Sequence, residues 1–337
     1  MDANGNLIPQ ESIALFGPTA SGKDWLIRAF AREIEKINQK GDHLFYYELM
    51  ELQRDYSPRP ASAFPPIGNV VTNMAEDYLY QFTRRADTDQ RYSCYEYTHN
   101  IAIQNDAGSI LVSSIVDADT FSQTYNRLVT ARNLIIIIAP PDSPSTPVQT
   151  KVEDQESSDL IKLLENMSAP QEPAYSSYLP EFAIRPWTAT DYQHFIRLLF
   201  DALGRNRTGI RRRNIAICLT KIDQTRIQNN DSEQVFYSMF PGLRGLIQME
   251  RNRHNIEFFQ TSSAGFINRS DALGRVEQIP NIQNGNLIDV NRWSPFGTTR
   301  PFFWIFETLE KAYLANNSGG LRNILRPRPD YPPYIVR

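Results

Sequence analysis

A glycine-bounded loop near the start of the sequence limits the possible folds of this chain more than any other feature. The loop reads GPTASGKD from Gly17 to Asp24, and it lies between an apolar run and a helical pattern. A strand, a loop and a helix in this order are what a phosphate-binding P-loop requires. Gly17 and Gly22 permit backbone angles at which successive N–H groups turn toward phosphate oxygens, and the helix adds the positive end of its dipole. Lys23 then places a mobile cation on the outer phosphates.

The last position of this loop departs from the usual pattern, G-x-x-x-x-G-K-[ST]. Asp24 stands where a Ser or Thr hydroxyl ordinarily ligates Mg²⁺. A carboxylate adds negative charge beside the phosphates, although it is itself a good ligand for a hard cation. The alternative interpretation is a glycine-rich turn capped by a polar residue, which the strand before it and the helix after it disfavour.

A second polar motif follows an apolar stretch over 214–219. The motif reads Thr-Lys-Ile-Asp from Thr220 to Asp223, and its carboxylate can accept hydrogen bonds from N1–H and the 2-amino group of guanine. Adenine offers no such pair of donors, so a buried carboxylate rejects it. Lys221 would lie along the base plane through its aliphatic stem. The alternative is an ordinary polar strand end, which the loop upstream and the Ser-Ser-Ala ending of the next strand disfavour.

Composition and charge exclude several classes of protein. A net charge of −3 gives no general attraction to nucleic acid or to anionic membranes. The longest strongly apolar run, 134–141, is too short to span a bilayer, and the N-terminus lacks the basic start and apolar core of a signal peptide. Two cysteines in apolar contexts are typical of a reducing compartment. We therefore expect a cytoplasmic protein with no nucleic-acid partner and no integral membrane segment.

Two clusters of basic residues interrupt this even charge distribution. They are Arg84-Arg85 and Arg211-Arg212-Arg213. Each could serve phosphates or a partner, but a solvated face near the start of a strand is the preferred interpretation.

Strand and helix patterns alternate along the chain, and polar motifs follow the strands. Strands are predicted over 12–16, 44–52, 95–104, 109–116, 134–138, 214–219 and, as the last, 256–260; helices are predicted over 24–38, 120–131, 188–203, 232–249 with a break at Pro241-Gly242, and 301–314. The pattern over 74–85 fits either a strand or a helix. This order predicts an α/β fold, a P-loop NTPase with a doubly wound, mostly parallel sheet.

An antiparallel hairpin is predicted at the edge of this sheet. Residues 105–108 read Asn-Asp-Ala-Gly, a composition typical of hairpin turns. The strands over 95–104 and 109–116 should therefore be antiparallel neighbours.

Proline-rich stretches are expected to lie outside the core. Four prolines exclude regular structure from 56–68. The predicted organisation is a single domain over 1–315 with long loop insertions at about 53–92 and 140–187, followed by a proline-rich tail over 316–337. We expect the insertions to face partners or to be disordered.

The order of the motifs resembles the Ras-like, translation-factor-related class of P-loop GTPases. The resemblance rests on the loop Gly17–Asp24, a hairpin, Asp117 at a strand end, the motif Thr220–Asp223 and the run Thr-Ser-Ser-Ala at 261–264. It implies that Asp223 with Lys221 reads guanine, and that Ala264 with Ser263 offers a backbone N–H to the base oxygen. It also implies that Asp117 holds Mg²⁺ through water. The long insertions resemble those of the bacterial double-GTPase group.

The resemblance thus implies a full set of site residues for GTP or GDP with Mg²⁺. The nucleotide would be bound by Gly17, Ala20, Ser21, Gly22, Lys23, Asp24, Thr220, Lys221, Asp223, Ser263 and Ala264; catalytic roles would fall to Lys23 and Asp117, and the metal to Asp24 and Asp117.

The segment after Asp117 departs from the family pattern. Thr120 replaces the glycine that senses the γ-phosphate, and Phe121 follows where Ras-like proteins have glutamine. These departures predict a guanine-nucleotide-binding switch or assembly subunit that hydrolyses GTP weakly or only with a partner. It would act with other proteins of a multi-component system, and an oligomer is compatible with the sequence. Two alternatives stay open: a degenerate GTPase-fold scaffold with static or no nucleotide binding, and a P-loop ATPase or kinase, which the motif Thr220–Asp223 disfavours.

Overall fold

Strands and helices alternate in the structure as the apolar pattern predicts. The computed structural model describes residues 11–18, 21–40, 45–52, 58–60, 76–86, 96–105, 122–140, 187–205, 212–225, 231–270, 275–283 and 286–316. The strands are β1 (Glu11–Phe16), β2 (Phe45–Leu52), β3 (Pro58–Pro60), β4 (Glu76–Ala86), β5 (Glu96–Asn105), β6 (Asn133–Ile138), β7 (Asn214–Leu219), β8 (Asn255–Gln260), β9 (Phe266–Ser270), β10 (Val276–Pro280), β11 (Ile282–Gln283) and β12 (Asn286–Leu287). The α-helices are α1 (Lys23–Lys40), α2 (Ser122–Thr130), α3 (Ala189–Arg205), α4 (Ser232–Met239), α5 (Arg244–Arg251) and α6 (Arg300–Asn316).

Within these residues, eight strands form one sheet in the order β3-β2-β4-β5-β1-β6-β7-β8. Strands β5, β1, β6, β7 and β8 are parallel, whereas β4, β2 and β3 add an antiparallel edge. The predicted α/β class, with a mostly parallel sheet and an antiparallel edge, is confirmed. Because β1 lies between β5 and β6, the glycine-bounded loop emerges at the middle of the sheet, where ligands bind in folds of this kind.

Helices cover both faces of the sheet, as the doubly wound prediction requires. Side chains from α2, α3, α4 and α5 form one apolar core against the sheet, and those from α1 and α6 form the other. Strand β6, which reads Asn-Leu-Ile-Ile-Ile-Ile, is buried at every position because both of its faces are covered. No helix in the described part of the chain is both long enough and apolar enough to cross a bilayer.

A ladder of asparagines holds the starts of three parallel strands in register. Asn214 Nδ2 donates to Asn133 Oδ1 at 2.9 Å, and Asn255 Nδ2 donates to Asn214 Oδ1 at 2.8 Å. Asn133 Nδ2 in turn donates to the carbonyl oxygen of Ser12 at 3.1 Å. A slip of one residue would leave these largely buried amides unpaired, so the ladder also fixes where the opposite ends of β6, β7 and β8 lie.

The basic cluster next to this ladder differs from expectation at Arg213. Its guanidinium is buried and donates to the carbonyl oxygens of Val129 at 2.7 Å and Ala131 at 3.2 Å. Arg213 therefore caps the end of α2 and is not part of a solvated face. Arg212 is exposed as predicted, while Arg211 lies outside the described residues.

Three further predictions about the strands are wrong. The segment over 74–85, whose pattern fits either a strand or a helix, contains the strand β4. This strand pairs antiparallel with β5 along the whole length of β5, and β1 pairs with residues 101–105 of β5 on the other side. Both edges next to Asn105 are therefore occupied. The predicted antiparallel hairpin is present, but β5 forms it with β4 and not with the segment over 109–116, which lies outside the described residues. Prolines do not exclude all regular structure from 56–68, because β3 pairs with β2 at the sheet edge, where proline is tolerated.

The third error concerns the segment after β8, because 256–260 is predicted as the last strand. It contains two small antiparallel pairs, β9 with β10 and β11 with β12. The remainder of both insertions and the proline-rich tail over 317–337 lie outside the described residues.

Candidate functional site

The glycine-bounded loop packs tightly over the end of β6. A Cβ at Gly17 would lie 2.7 Å from the carbonyl oxygen of Ile137 and 2.7 Å from Ser21 Oγ, so only glycine fits there. Gly22 has a φ of 97°, which a residue with a side chain rarely adopts. Helix α1 begins at the next residue, so the positive end of its dipole faces the loop.

Lys23 lies across the loop rather than out in solvent. Its Nζ donates to the carbonyl oxygen of Gly17 at 2.8 Å and to that of Pro18 at 3.2 Å, and its side chain is buried. The ammonium is therefore held at the mouth of the loop, where phosphate oxygens would meet it. Ala20, which was predicted to line the loop, lies outside the described residues.

Of the two residues predicted to bind the metal, the structure describes one, Asp24. Asp24 occupies the first turn of α1 and is partly exposed, and a carboxylate there is stabilised by the helix dipole. Asp117 lies outside the described residues. Among the described residues, no group of three or more His, Cys, Asp or Glu side chains could hold a metal ion. The Mg²⁺ site stays a prediction.

The Thr-Lys-Ile-Asp motif meets the loop at the end of β7. Thr220 Oγ1 donates to the carbonyl oxygen of Ser21 at 2.7 Å, so the two motifs touch directly. Lys221 follows in the left-handed region at a φ of 55° and a ψ of 31°, a conformation that is strained for a residue with a side chain. This turn starts a short 3₁₀ helix, Ile222–Gln224. Burial lowers the pKa of Lys221, and the neighbouring Asp223 charge opposes this shift.

Asp223 is the most unusual polar side chain of the site. It is only 5% exposed, and its Oδ1 accepts a hydrogen bond from Ser262 Oγ at 2.5 Å. Its Oδ2 is buried and has no hydrogen-bond partner among the described residues. Burial raises the pKa of Asp223, while the Ser262 bond lowers it. A buried carboxylate oxygen without a donor is costly, so this atom indicates a ligand with N–H groups.

The loop after β8 approaches Asp223 from the neighbouring strand end. Ser262 Oγ, besides donating to Asp223, accepts from the backbone N–H of Gly265 at 2.8 Å. Ser263 is partly exposed and its carbonyl oxygen accepts from Trp293 Nε1 at 2.7 Å, while Ala264 is buried. The structure thus brings together Gly17, Ser21, Gly22, Lys23, Asp24, Thr220, Lys221, Asp223, Ser263 and Ala264 along the ends of β1, β7 and β8.

Two residues of this site were missed by sequence reasoning. Ser262, and not Ser263, is the serine that contacts Asp223. The run Thr-Ser-Ser signals a hydroxyl at the strand end, but not which of three consecutive side chains turns inward. Trp293 lies 30 residues beyond the loop that it contacts, and no local pattern marks it.

Comparison with known proteins finds likeness in fold only. No protein-family model matches the chain, and no curated protein matches it. Among solved structures, it is similar to the signal recognition particle receptor SRb-GTP/SRX complex from Chaetomium thermophilum, with 10% identity, a TM-score of 0.37, and coverage of 77% of this chain and 93% of that one.

Two further solved structures are similar in the same loose way. Nucleolar GTP-binding protein 1 from Plasmodium falciparum has 11% identity and a TM-score of 0.34, with 95% of this chain and 99% of that chain covered. Roco2 RocCORdC from Methanosarcina barkeri, bound to GDP, has 12% identity and a TM-score of 0.27, with 77% of this chain and 47% of that chain covered. Because these TM-scores are low, the ligand has to be inferred from the geometry of this chain alone. The fold is that of a P-loop NTPase.

Proposed function

We propose that this protein binds a guanine nucleotide, GTP or GDP, with the phosphates in the loop Gly17–Asp24 and the base against Asp223. The observation that carries the proposal is the buried oxygen Oδ2 of Asp223, which lacks a donor among the described residues. The edge of guanine that carries N1 offers two adjacent donors, N1–H and the 2-amino group, which suit one carboxylate. Adenine has an acceptor at N1 and would leave the carboxylate unpaired.

The phosphate end is served by the loop and by Lys23. Backbone N–H groups between Gly17 and Gly22, including that of Ala20, would turn toward phosphate oxygens, and the N–H of Ser21 would exchange its 3.2 Å bond to the carbonyl oxygen of Pro18 for one to a phosphate. Lys23, already held across the loop by two carbonyl oxygens, would add its positive charge. Ser21 Oγ is a second buried polar atom without a partner among the described residues, and it lies at the same loop.

The base end is served by three segments. Asp223 accepts from the base, and Ser262 fixes its orientation through the 2.5 Å bond to Oδ1. The aliphatic stem of Lys221 would lie along one face of the base, and the Ser263–Ala264 segment would offer a backbone N–H to its 6-oxygen. Thr220 contributes by tying this end to the phosphate loop.

Mg²⁺ is expected to accompany the phosphates. Asp24, in the first turn of α1 beside Lys23, and Asp117 are the residues that would hold it. A bound divalent cation would neutralise phosphate charge and so turn the carboxylate of Asp24 from a repulsive neighbour into a ligand.

We infer a switch or assembly subunit that hydrolyses GTP slowly or only with a partner. The support is in the sequence after Asp117, where Thr120 and Phe121 replace the glycine and glutamine that place the γ-phosphate and the attacking water in Ras-like proteins. Lys23 and Asp117 would keep their roles in neutralising phosphate charge. A partner could supply the missing water-positioning group.

Nucleotide release and thermal melting together test the proposal. Denaturing the purified protein and separating the supernatant by chromatography should release GDP or GTP. For the nucleotide-free protein in Mg²⁺, GTP and GDP should raise the melting temperature, whereas ATP at the same concentration should not. An ATP shift equal to the GTP shift would contradict recognition of guanine. Absence of any shift together with absence of released nucleotide would favour a scaffold without a ligand.

A further inference from the structure

Residues 293–299, which precede α6, make close contacts with the loop over 261–265. The backbone N–H of Ser262 donates to the carbonyl oxygen of Phe296 at 3.0 Å, and the reverse bond is also 3.0 Å long. Trp293 Nε1 donates to the carbonyl oxygen of Ser263 at 2.7 Å. A Cβ at Gly265 would lie 2.0 Å from the carbonyl oxygen of Ser294, so the two segments touch along their backbones. We call residues 293–299 the bridge segment.

The other side of the bridge segment is bound by α1. Glu33 Oε1 accepts from the backbone N–H of Gly297 at 2.8 Å, and its Oε2 accepts from Thr298 Oγ1 at 2.6 Å and from the backbone N–H of Thr299 at 2.8 Å. The Glu33 side chain is buried by these contacts. Lys36, one turn further along, donates to the hydroxyl of Ser294.

An aromatic contact adds to this attachment near the phosphate loop. Trp25, in the first turn of α1, packs edge-on against Trp293 with ring centroids 6.4 Å apart and an interplanar angle of 86°. Trp293 therefore touches the phosphate-binding helix with its ring and the loop over 261–265 with its N–H. Its side chain is nearly buried.

These contacts leave the bridge segment little freedom to move alone. Gly297 has a φ of 69°, and a Cβ there would lie 2.4 Å from the carbonyl oxygen of Gln260 at the end of β8. The two oxygens of Glu33 accept from three donors in residues 297–299, just ahead of α6, and two of these donors are backbone N–H groups, so the hydrogen bonds are charge-assisted. One carboxylate on α1 thus sets the distance between that helix and the loop after β8.

We propose that Glu33 and Trp293 are positioning residues that set the loop over 261–265 relative to the phosphate-binding helix. This inference rests on the proposed function, in which that loop meets the 6-oxygen of guanine. Helix α1 begins with Lys23 at the phosphates and carries Glu33 ten residues later, so the same rigid element governs both ends of the nucleotide. Loosening the bridge segment should therefore weaken discrimination at the 6-position of the base, in addition to any loss of affinity that acts through Ser262 and Asp223 on both nucleotides equally.

The test compares GDP with 6-thio-GDP, in which sulfur, a weak acceptor, replaces the 6-oxygen while N1–H and the 2-amino group remain. Glu33→Gln places an amide N–H against backbone donors, and Trp293→Phe keeps an aromatic ring, smaller than indole, but removes the N–H. Glu35→Gln is the matched control, because Glu35 lies on the same helix and, among the described residues, pairs locally with Arg32 at 2.8 Å. Affinities are measured by calorimetry in Mg²⁺, and backbone hydrogen exchange is measured on the ligand-free proteins.

We expect wild type and Glu35→Gln to prefer GDP over 6-thio-GDP by about fivefold, the value of one hydrogen bond. Glu33→Gln and Trp293→Phe should reduce this preference to about twofold or less, and exchange in a peptide covering 261–265 should accelerate. A uniform loss of affinity for both nucleotides, with the ratio unchanged, would overturn the inference and leave a purely structural role. Unchanged exchange over 261–265 in both variants would overturn it as well. If wild type binds neither nucleotide, the proposed function fails, and the exchange measurement alone decides whether these residues set the loop.

Discussion

Thr220 Oγ1 donates a hydrogen bond of 2.7 Å to the carbonyl oxygen of Ser21, although the two residues are 199 positions apart. The backbone N–H of Thr220 donates to the carbonyl oxygen of Ile138 at 2.9 Å, and its hydroxyl lies 3.3 Å from the same oxygen. One buried residue thus joins the phosphate loop, the end of β6 and the start of the base motif. This contact explains how two distant motifs are held in one site before any ligand binds.

Removing that hydroxyl should loosen the site. Thr220→Val keeps the shape of the side chain but leaves the carbonyl oxygen of Ser21 without this donor, so we expect the free energy of unfolding to fall by about 1–2 kcal/mol. Urea denaturation followed by circular dichroism measures the change. Thr130→Val is the matched control, because Thr130 Oγ1 bonds locally to the carbonyl oxygen of Asn126 on an exposed part of α2. A loss no larger than the control's would contradict the bracing role of Thr220.

The parts of the fold that local chemistry dictates could be predicted from the sequence. The unbroken apolar run of β6 predicts a strand covered on both faces, and every residue of it is buried. The helix predicted over 188–203 is present as α3, and its start has the reciprocal bonds of a capping box, from the N–H of Thr188 to Asp191 Oδ2 at 2.8 Å and from the N–H of Asp191 to Thr188 Oγ1 at 3.3 Å. The break between α4 and α5 occurs at Pro241-Gly242, as expected.

The parts that depend on distant partners could not be predicted. Strand β5 follows its hydrophobic pattern, but whether β4 or a later strand pairs beside it depends on which sheet edge is free, and no local pattern encodes that. Ser262 could not be told from Ser263, because the direction of a side chain in a loop follows from backbone angles set elsewhere. Glu33 looks like an ordinary helix-surface acid until its donors, 264 to 266 residues away, are placed against it.

The choice of base should follow from one atom of Asp223. In Asp223→Asn an N–H₂ group takes the place of one of the two carboxylate oxygens. This group repels the 2-amino group of guanine but can donate a hydrogen bond to the 2-oxygen of xanthine. We expect affinity for GDP to fall by about a hundredfold, in line with the loss of a hydrogen bond to a charged group and the creation of an unpaired one. Affinity for xanthosine diphosphate should rise above that for GDP.

Calorimetry with GDP, xanthosine diphosphate and ADP measures this exchange of preference. Asp201→Asn provides the control, since Asp201 is exposed on α3 and pairs with Arg205 on the surface. Equal losses for all three nucleotides in Asp223→Asn would mean that the carboxylate supports the fold and does not read the base.

Acid should weaken the folded protein through His254. Burial, followed by the charges of Arg213 and Arg253, lowers the pKa of His254 from 6.5 to about 4, and its Nδ1 accepts from the N–H of Arg213 at 3.4 Å. A hydrogen bond with the backbone of Arg253 opposes this lowering of the pKa without reversing it. Between these two pKa values the unfolded chain binds more protons than the folded one. The stability that neutral His254 contributes to the folded protein is therefore fully present above about pH 6.5 and is lost as the pH falls toward 4.

The free energy of unfolding measured in urea between pH 7 and pH 4 tests this dependence. His254→Gln should reduce the loss of stability over that interval, because a glutamine does not titrate. His194→Gln, a change at an exposed position of α3, is the matched control. If His254→Gln and wild type lose stability in parallel, the acid sensitivity arises elsewhere.

Asp24 should make nucleotide binding depend steeply on Mg²⁺. At about 5 Å and an effective dielectric constant near 20, a carboxylate and one phosphate charge repel by roughly 3 kcal/mol, and bound metal reverses the sign because a carboxylate is a good hard-oxygen ligand. We expect Asp24→Ser to bind GDP at least about tenfold more tightly than wild type in EDTA, and to show a shallower dependence on added Mg²⁺.

A second substitution separates the charge of Asp24 from its metal ligation. Asp24→Asn removes the charge without supplying a hydroxyl, so it should match Asp24→Ser in EDTA but gain less from added Mg²⁺. Hydrolysis by the isolated wild-type protein should be slower than about one turnover per hour, near the rate of an unassisted Ras-like switch or below, because Phe121 stands where Ras-like proteins have the glutamine that orients the attacking water. Brisk multiple-turnover hydrolysis would mean that the carboxylate of Asp24 is part of a working active site. Weaker binding of GDP by Asp24→Ser in EDTA would mean the same, because the carboxylate would then favour nucleotide binding even without the metal.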